Sequence, residues 1–247
     1  MAETPAVVVE DIVMQYRVRE DRTAGRRLGG LLPGGRPVSR IDALRGVSLE
    51  VPRGQRLGIV GRNGSGKSTL MSIIAGLRHP SAGRVLVSDY PVMLGVGAVL
   101  NRDLSGYQNV LLGCTALGMR REEARRRAEE ILAYAGVSAS AGRPMRTYSS
   151  GMRARLGFAI ATTVEPEILL VDEALATGDA EFRRRGRERV KAIADRAGAV
   201  VLVSHSMRDV RDNCDRAAGL DDGRLVMGGP GEEVVAAFEE GAGRAWS

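Results

Sequence analysis

The chain has 247 residues, of which 44% are hydrophobic, so it can bury a substantial core without disulfide or metal staples. Its two cysteines and two histidines are too few and too scattered for a zinc site. The net charge of +6 is concentrated, because residues 17–40 hold seven arginines against two acidic residues, a net +5. This distribution argues against a general nucleic-acid-binding surface.

The sequence has no segment long and apolar enough to span a bilayer, which needs ~20 residues. The N-terminus places Glu3, Glu10 and Asp11 around a short apolar stretch and lacks the pattern of a signal peptide. We therefore expect a cytoplasmic protein whose cysteines, Cys114 and Cys214, are reduced.

Strand patterns dominate the first part of the chain. Alternation and β-branched content predict a strand at residues 7–18 and another around residues 46–51. Between them, residues 19–40 are rich in glycine, arginine and proline, and we interpret them as a basic insertion. Further short apolar runs predict buried strands at residues 56–60, 84–87, 168–171 and 199–203.

Helical patterns separate these strands. They cover residues 68–77, 105–117, 120–135, 152–163 and 180–195. The alternation of strands and helices is typical of an α/β fold with a mostly parallel central sheet. Residues 101–164 are almost wholly helical, which predicts a helical subdomain inserted into that core.

The strongest motif directly follows the strand at residues 56–60. Residues 61–69, GRNGSGKST, match the pattern GxxxxGK[ST] between a strand and a helix. The glycines let backbone N–H groups face phosphate oxygens, while Lys67 neutralises the β- and γ-phosphates and the Ser68 hydroxyl binds Mg²⁺. A glycine-rich turn with an incidental lysine is improbable, since the chain has only one other lysine, Lys191. The predicted phosphate-binding residues are Gly61, Asn63, Gly64, Ser65, Gly66, Lys67, Ser68 and Thr69.

A pair of carboxylates, Asp172 and Glu173, follows the predicted strand at residues 168–171. Open α/β sheets bind ligands at the carboxyl ends of their strands, so we expect the pair to face the same phosphates. Asp172 is suited to holding Mg²⁺, and Glu173 to polarising the water that attacks the γ-phosphate. A lone Asp-Glu pair would be a solvated strand end, but beside Lys67 the catalytic interpretation is favoured.

These two motifs, with the segment YSSGM at residues 148–152, resemble the nucleotide-binding domains of ABC transporters. The resemblance covers nearly the whole chain and implies a single P-loop ABC ATPase domain over residues 1–247, with ATP and Mg²⁺ as ligands. It implies an N-terminal antiparallel β subdomain beside the mostly parallel sheet, and the inserted helical subdomain. It also implies that Ser149 and Gly151, at a helix start, contact the γ-phosphate held by a second copy, so that the enzyme is a homodimer.

The same resemblance assigns roles to three further positions. Tyr16 resembles the aromatic residue that stacks on adenine, Asp179 lies in a segment resembling the D-loop, and His205 resembles the switch histidine that senses the γ-phosphate. Each assignment depends on the others, because a lone tyrosine in a strand is more often part of the core and a lone histidine more often structural. Their order relative to Lys67 and Glu173 favours the functional interpretation.

Departures from the usual family motifs indicate a branch. The signature segment is YSSGM instead of LSGGQ, and residues 176–179 read ATGD where the D-loop usually has an SALD-type sequence. Both variants, and the LGVG segment at residues 94–97, resemble exporters of polysaccharides and teichoic acids. The chain has no glutamine between Gln55 and Gln108, so the usual Q-loop glutamine is missing.

The basic insertion at residues 19–40 has two interpretations of similar weight. Exporters of this branch carry an extra segment near the membrane partner, where its arginines could meet anionic headgroups. The alternative is a flexible hairpin tip. Because the chain ends soon after Phe238, we expect it to lack the carbohydrate-binding extension of some O-antigen exporters.

The sequence therefore predicts the ATPase subunit of an exporter for a lipid-linked cell-surface polysaccharide, such as a galactan, an O-antigen-like glycan or a teichoic acid. Its expected partners are a second copy of itself, a separate transmembrane permease and the membrane surface, and not nucleic acid. It would lie at the cytoplasmic face of the membrane. The alternative is a soluble ABC ATPase acting on nucleic acid or ribosomes, although the second cassette or long coiled coil of such proteins is missing.

Overall fold

The computed structural model describes residues 4–19, 38–94, 100–172, 179–204 and 206–241. In chain order its main elements are β1 (Val7–Arg19), β2 (Val38–Val51), β3 (Arg56–Val60), α1 (Lys67–Ile74), β4 (Ala82–Val87), β5 (Val92–Leu94), α2 (Gly106–Ala116), α3 (Arg121–Tyr134), α4 (Ser150–Ala161), β6 (Ile168–Asp172), α5 (Ala180–Ala194), β7 (Ala199–Val203), α6 (Met207–Asn213), β8 (Arg216–Asp221), β9 (Arg224–Pro230) and α7 (Gly231–Gly241).

The strands form two sheets. The first is antiparallel, with the order β2-β1-β4, and the second has six strands in the order β5-β6-β7-β3-β8-β9. All described pairs of the second sheet are parallel except β8 with β9. The expected α/β fold, with a mostly parallel sheet and a separate antiparallel one, is confirmed.

The central sheet is buried on both faces, as its continuous apolar strands predict. Strand β6 illustrates this, because Ile168 and Leu170 belong to one core cluster while Leu169 and Val171 belong to another. The first cluster joins α1 and the antiparallel sheet to one face of the central sheet. The second includes side chains from α4 and α5, which therefore lie against the opposite face.

Helices α2, α3 and α4 share a core of their own. Met145, Leu156 and Ile160 are fully buried there, together with Cys114 of α2 and Ile131 of α3. Helix α2 begins with a capping box, in which Ser105 and Gln108 satisfy each other's backbone N–H groups. This block lies within residues 101–164, the part of the chain for which an inserted helical subdomain is predicted.

One strand differs from the sequence prediction. Residues 84–87 were predicted to be a buried strand, but β4 is an edge strand of the antiparallel sheet and pairs with β1. Its Leu86 and Val87 are 50% and 40% exposed. An apolar run predicts a strand by its β propensity, but burial depends on what covers the sheet, and the edge position leaves these side chains open.

The strand predicted around residues 46–51 is also longer than expected. Strand β2 begins at Val38, because its register with β1 extends from Val7 opposite Val51 to Arg19 opposite Val38. Among the described residues, no helix is long and apolar enough to cross a membrane.

Candidate functional site

The predicted phosphate loop connects the buried strand β3 to helix α1. Two of its glycines have positive φ angles, 83° at Gly64 and 105° at Gly66. A Cβ atom on Gly66 would lie 2.5 Å from the Ala43 carbonyl oxygen, so the loop packs closely against the segment before Leu44. Glycine is required here both for its φ angle and for the lack of space.

Lys67 is the first residue of α1, and only 6% of its surface is exposed. Its Nζ donates hydrogen bonds to the carbonyl oxygens of Gly61, at 2.6 Å, and Arg62, at 2.9 Å. The ammonium group is thus held against the loop that precedes it. A buried cation at the start of a helix, where backbone N–H groups also point outward, attracts an anion.

A second buried polar group lies in the same loop. The Ser65 side chain is 3% exposed, and its Oγ has no hydrogen-bond partner in the described structure. The Ser65 carbonyl oxygen accepts a hydrogen bond from the Gly223 N–H at 3.1 Å, which ties the loop to the turn between β8 and β9. The backbone of the loop is therefore fixed by contacts distant in sequence.

The loop, Asp172 and the ends of two neighbouring strands form one cavity of about 210 Å³. Asp172 is the last residue of β6 and Val203 the last residue of β7, and β7 lies beside β3. The carboxyl ends of three adjacent parallel strands thus meet at the cavity, as expected for a ligand site of an α/β sheet. The lining residues are Ala43, Asn63, Gly64, Ser65, Gly66, Lys67, Ser68, Thr69, Asp172 and Val203.

Tyr16 lies beside the phosphate loop, although it is distant in sequence. Its hydroxyl oxygen is 3.5 Å from Thr69 Oγ1, and the Arg78 guanidinium carbon lies 5.6 Å from the centre of its ring. The ring is partly buried at the end of the antiparallel sheet next to α1. This position is compatible with a platform for a nucleotide base whose phosphates occupy the loop.

The signature segment forms the start of helix α4. Ser149 is the N-cap, and its Oγ accepts a hydrogen bond from the Met152 N–H at 3.2 Å. The preceding Tyr148 is buried and donates its hydroxyl proton to the Ser140 carbonyl oxygen at 2.6 Å, and burial raises the pKa of this hydroxyl. Ser149 itself is exposed, and neither it nor Gly151 is among the described residues lining the phosphate cavity.

Asp179 is also a helix N-cap. Its Oδ1 accepts a hydrogen bond from the Phe182 N–H at 2.8 Å, at the start of α5. Glu173 and His205 lie outside the described residues, as does most of the basic insertion at residues 19–40. The neighbour of His205, Ser204, is buried, and its Oγ accepts a hydrogen bond from the Ser206 N–H at 3.0 Å.

The structure brings further residues to the site that sequence reasoning missed. Ala43 and Val203 line the cavity, and Arg78 lies over Tyr16. Two of these have apolar side chains at ordinary strand positions, so no local signal identifies them. Arg78 lies shortly after α1, where an isolated arginine resembles any solvated surface residue.

Comparison with known proteins is consistent with this geometry. Residues 44–176 match the family model described as ABC transporter. The chain is 39% identical over 243 residues to the O-antigen export system ATP-binding protein RfbB of Myxococcus xanthus, covering 95% of this chain and 56% of that protein. It is 38% identical to the teichoic acids export ATP-binding protein TagH of Enterococcus faecalis, covering 78% of this chain and 43% of that protein.

Solved structures show the same fold. The ATP-binding subunit of an ABC transporter matches with a TM-score of 0.70 at 23% identity, covering 96% of this chain and 94% of that one. A dimeric bacterial ABC transporter cassette matches with a TM-score of 0.67 at 24% identity, covering 91% of this chain and 98% of that one. The chain spans about half the length of the two export proteins named above. It belongs to the ABC transporter family.

Proposed function

We propose that this chain is the ATP-hydrolysing subunit of an ABC exporter that translocates a lipid-linked cell-surface polysaccharide. The subunit would act as a homodimer at the cytoplasmic face of the membrane, together with a separate permease. The observation that carries the ATPase assignment is the single cavity that joins the phosphate loop, Lys67 and Asp172. It combines a buried cation with a carboxylate at the end of a neighbouring parallel strand.

Phosphate binding follows from the composition of this cavity. Lys67 already lies against its loop with Nζ 2.6 Å from the Gly61 carbonyl oxygen, so little side-chain entropy remains to be lost when a phosphate binds. The loop N–H groups and the start of α1 supply additional positive potential. Tyr16, in contact distance of Thr69, would receive the adenine ring.

The same cavity suits a divalent cation. The Ser68 hydroxyl and the Asp172 carboxylate are hard oxygen ligands of the type that Mg²⁺ prefers, and both line the cavity. Bound Mg²⁺ would neutralise charge on the β- and γ-phosphates of the substrate. Glu173, next in sequence, is proposed as the base that takes a proton from the attacking water, and His205 as a contact of the γ-phosphate.

Dimerisation is supported by the exposed start of α4. Ser149 caps this helix with one Oγ interaction and remains accessible to solvent. A helix N-terminus can bind an anion, yet the cavity of the same chain is lined by other residues. We propose that Ser149 and Gly151 contact the phosphates held by a second copy, and that Asp179 lies near the same interface.

The transported substrate is proposed from the relatives. Two of the most similar proteins are described as ATP-binding proteins of O-antigen export and teichoic acid export. From these descriptions we propose a lipid-linked polysaccharide as the substrate class of this chain.

The experiment that tests the proposed site compares the only two lysines. Lys67→Ala should remove most of the rise in melting temperature that MgATP gives the parental chain, because ligand-linked stabilisation depends on affinity. Lys191→Ala is the matched control, since Lys191 is an exposed residue of α5 paired with Asp195 at 3.1 Å. An undiminished shift in Lys67→Ala would move nucleotide binding to another site.

A further inference from the structure

The C-terminal ends of helices α3 and α4 lie together against the side of α5. Each helix end leaves backbone carbonyl oxygens without partners inside the helix, and aligned carbonyls make that end negative. Arg185 of α5 donates to the Tyr134 carbonyl oxygen at 2.9 Å, at the end of α3. Arg189, one turn later, donates through Nε and a terminal nitrogen to the Thr162 carbonyl oxygen, both at 3.1 Å, at the end of α4. One helix therefore caps the ends of two others.

An aromatic cluster fills the space between these three helices. The guanidinium carbons of Arg185 and Arg189 lie 4.7 Å and 4.3 Å from the centre of the Tyr134 ring. Both distances are within the range of cation–π attraction. The Phe158 and Phe182 rings lie 6.4 Å and 5.6 Å from the Tyr134 ring, centre to centre. We call these five residues, Tyr134, Phe158, Phe182, Arg185 and Arg189, the arginine joint.

Two details indicate that the rings and guanidinium planes, and not the tyrosine hydroxyl, make this contact. The Tyr134 hydroxyl is buried and has no hydrogen-bond partner in the described structure, so it contributes no polar anchor. A Cβ atom on Gly186, between the two arginines, would lie 3.3 Å from Phe158 Cζ, so this glycine permits close approach of α5. The arginine joint therefore depends on stacking of the guanidinium groups on the Tyr134 ring and on their hydrogen bonds to the carbonyl oxygens at the ends of α3 and α4.

The joint connects two parts of the proposed ATPase site. Helix α5 begins at the N-cap Asp179, soon after β6 brings Asp172 to the phosphate cavity. Helix α4 begins at the N-cap Ser149, and its far end, about 18 Å away along the axis, is the end that Arg189 caps. A small rotation of α4 about its capped end therefore moves its other end, which carries Ser149, through a larger distance.

We propose that Arg185 and Arg189 are positioning residues that hold the start of α4 in the orientation needed to meet a second copy. This inference rests on the proposed function, because it assumes that Ser149 and Gly151 complete a site across the dimer. Other guanidinium caps of these helix ends, from Arg127 to the Thr163 carbonyl oxygen and from Arg155 to the Ala135 carbonyl oxygen, come from α3 and α4 themselves. Those from Arg185 and Arg189 instead link α3 and α4 to α5, the helix that follows β6.

The proposal predicts an effect on turnover and not on nucleotide affinity. Of the described residues that line the phosphate cavity, none belongs to the arginine joint. Loss of the joint should leave the phosphate loop of each monomer intact while misaligning its signature helix. A purely stabilising role would instead lower the melting temperature without separating kcat from KM.

The test uses the double variant Arg185→Met with Arg189→Met, which keeps the apolar stems but removes the planar cations. We expect kcat for ATP to fall on the order of tenfold, as for other couplings between packed elements, with KM nearly unchanged. The affinity of the monomer for a fluorescent ADP analogue should also be unchanged. Arg187→Met on the exposed face of the same helix is the matched control and should keep parental kcat.

Tyrosine variants distinguish the ring from its hydroxyl. Tyr134→Phe keeps the ring and should retain the parental kcat, because the hydroxyl has no hydrogen-bond partner in the described structure. Tyr134→Leu removes the ring and should lower kcat as the double arginine variant does. If the double arginine variant does not fold, Arg189→Lys provides the second measurement. Its ammonium group can still donate to the Thr162 carbonyl oxygen but cannot stack, so a partial loss of kcat is expected.

Three results would overturn the inference. They are parental kcat in the folded double variant or in Arg189→Lys, an equal loss in Arg187→Met, and a rise in KM at unchanged kcat. Failure of the proposed function is distinguishable, because the parental chain would then show no ATP hydrolysis, and the inference would fall with it. Parental hydrolysis together with an unaffected double variant contradicts the inference alone.

Discussion

The phosphate cavity and the start of helix α4, the two anion-binding sites that we propose, differ in accessibility. Lys67 is 6% exposed, and its ammonium group is held by two loop carbonyl oxygens. Ser149, in contrast, is exposed, with its Oγ bonded to the N–H of its own helix. The cavity is lined by parts of one chain that are distant in sequence, whereas the residue that caps α4 is exposed among the described residues.

This difference in accessibility indicates which part of the proposed ATPase site one chain can form alone. Lys67 and Asp172 both line the cavity of one chain, so under our proposal nucleotide binding needs no second copy. Hydrolysis under our proposal does need one, because Ser149 and Gly151 are absent from the described lining of that cavity. The predictions below test this division between binding and turnover, from the largest expected effect to the smallest.

The largest effect is expected at the residue after Asp172. Glu173→Gln should keep ATP binding but reduce hydrolysis by ~10²-fold or more, as for loss of a general base. The variant should therefore accumulate as an ATP-bound dimer, measured by size-exclusion chromatography with and without MgATP. Glu165→Gln, an exposed carboxylate before the same strand, is the control. Parental hydrolysis in Glu173→Gln would rule it out as the base.

A mixing experiment tests the shared site with an intermediate effect. Lys67→Ala damages the cavity and Ser149→Arg damages the helix start, so each homodimer has two defective sites. A heterodimer concentrates both lesions in one site and leaves the other intact.

Equal mixing should therefore recover up to about a quarter of parental ATPase activity, since half of the dimers are mixed and each has one intact site. The measurement is the ATPase rate against mixing ratio, with heterodimers verified by distinct affinity tags. If verified heterodimers show no recovery, then either the site is not shared between two copies or one intact site cannot hydrolyse ATP without the other.

The smallest effect on ATPase activity is expected from the basic insertion. Arg22, Arg26 and Arg27 lie within residues 17–40, which carry +5 of the net charge, and each Arg near an anionic leaflet contributes ~1 kcal/mol. Replacing all three with Gln should leave ATPase activity near parental but weaken sedimentation with anionic vesicles, most clearly at low salt. Unchanged sedimentation at low and high salt would identify the insertion as a passive loop.

A matched control for this prediction removes the same charge elsewhere. Arg121, Arg125 and Arg126 are exposed on α3, and replacing them with Gln also lowers the net charge by three. If vesicle binding depends on the local charge of the insertion, this control should sediment like the parental chain. An equal loss in both variants would indicate a general effect of net charge.

Prediction from sequence was most accurate where local chemistry decides the conformation. The strand at residues 56–60 and the glycine loop after it were located correctly, because Gly64 and Gly66 need positive φ angles that only glycine adopts easily. Prediction was least accurate where packing against neighbouring elements decides whether a segment forms a strand and whether it is buried. The exposure of β4 was missed, and β8, whose sequence RAAGLD has no β-branched residue, was not predicted as a strand.

The residues of the site show the same contrast between local motifs and tertiary packing. Sequence reasoning identified Lys67, Ser68 and Asp172, because each belongs to a short motif with a known relation to a strand end. It could not identify Ala43 or Val203 as lining residues, or the stacking of Arg185 and Arg189 on Tyr134. These contacts depend on sheet order and helix packing, which join residues that no local pattern connects.

The amino-acid sequence by itself determined the glycine loop after β3, the position of Asp172 at a strand end and the family, since glycine conformation and strand-end position are local properties. Only the tertiary structure decided that the loop and Asp172 share one cavity, through the order β6-β7-β3 in the central sheet. It likewise decided that α5 caps the ends of α3 and α4. Packing makes these choices because burial of apolar faces orients whole helices, and polar side chains then bond to whichever backbone groups the packing leaves unpaired.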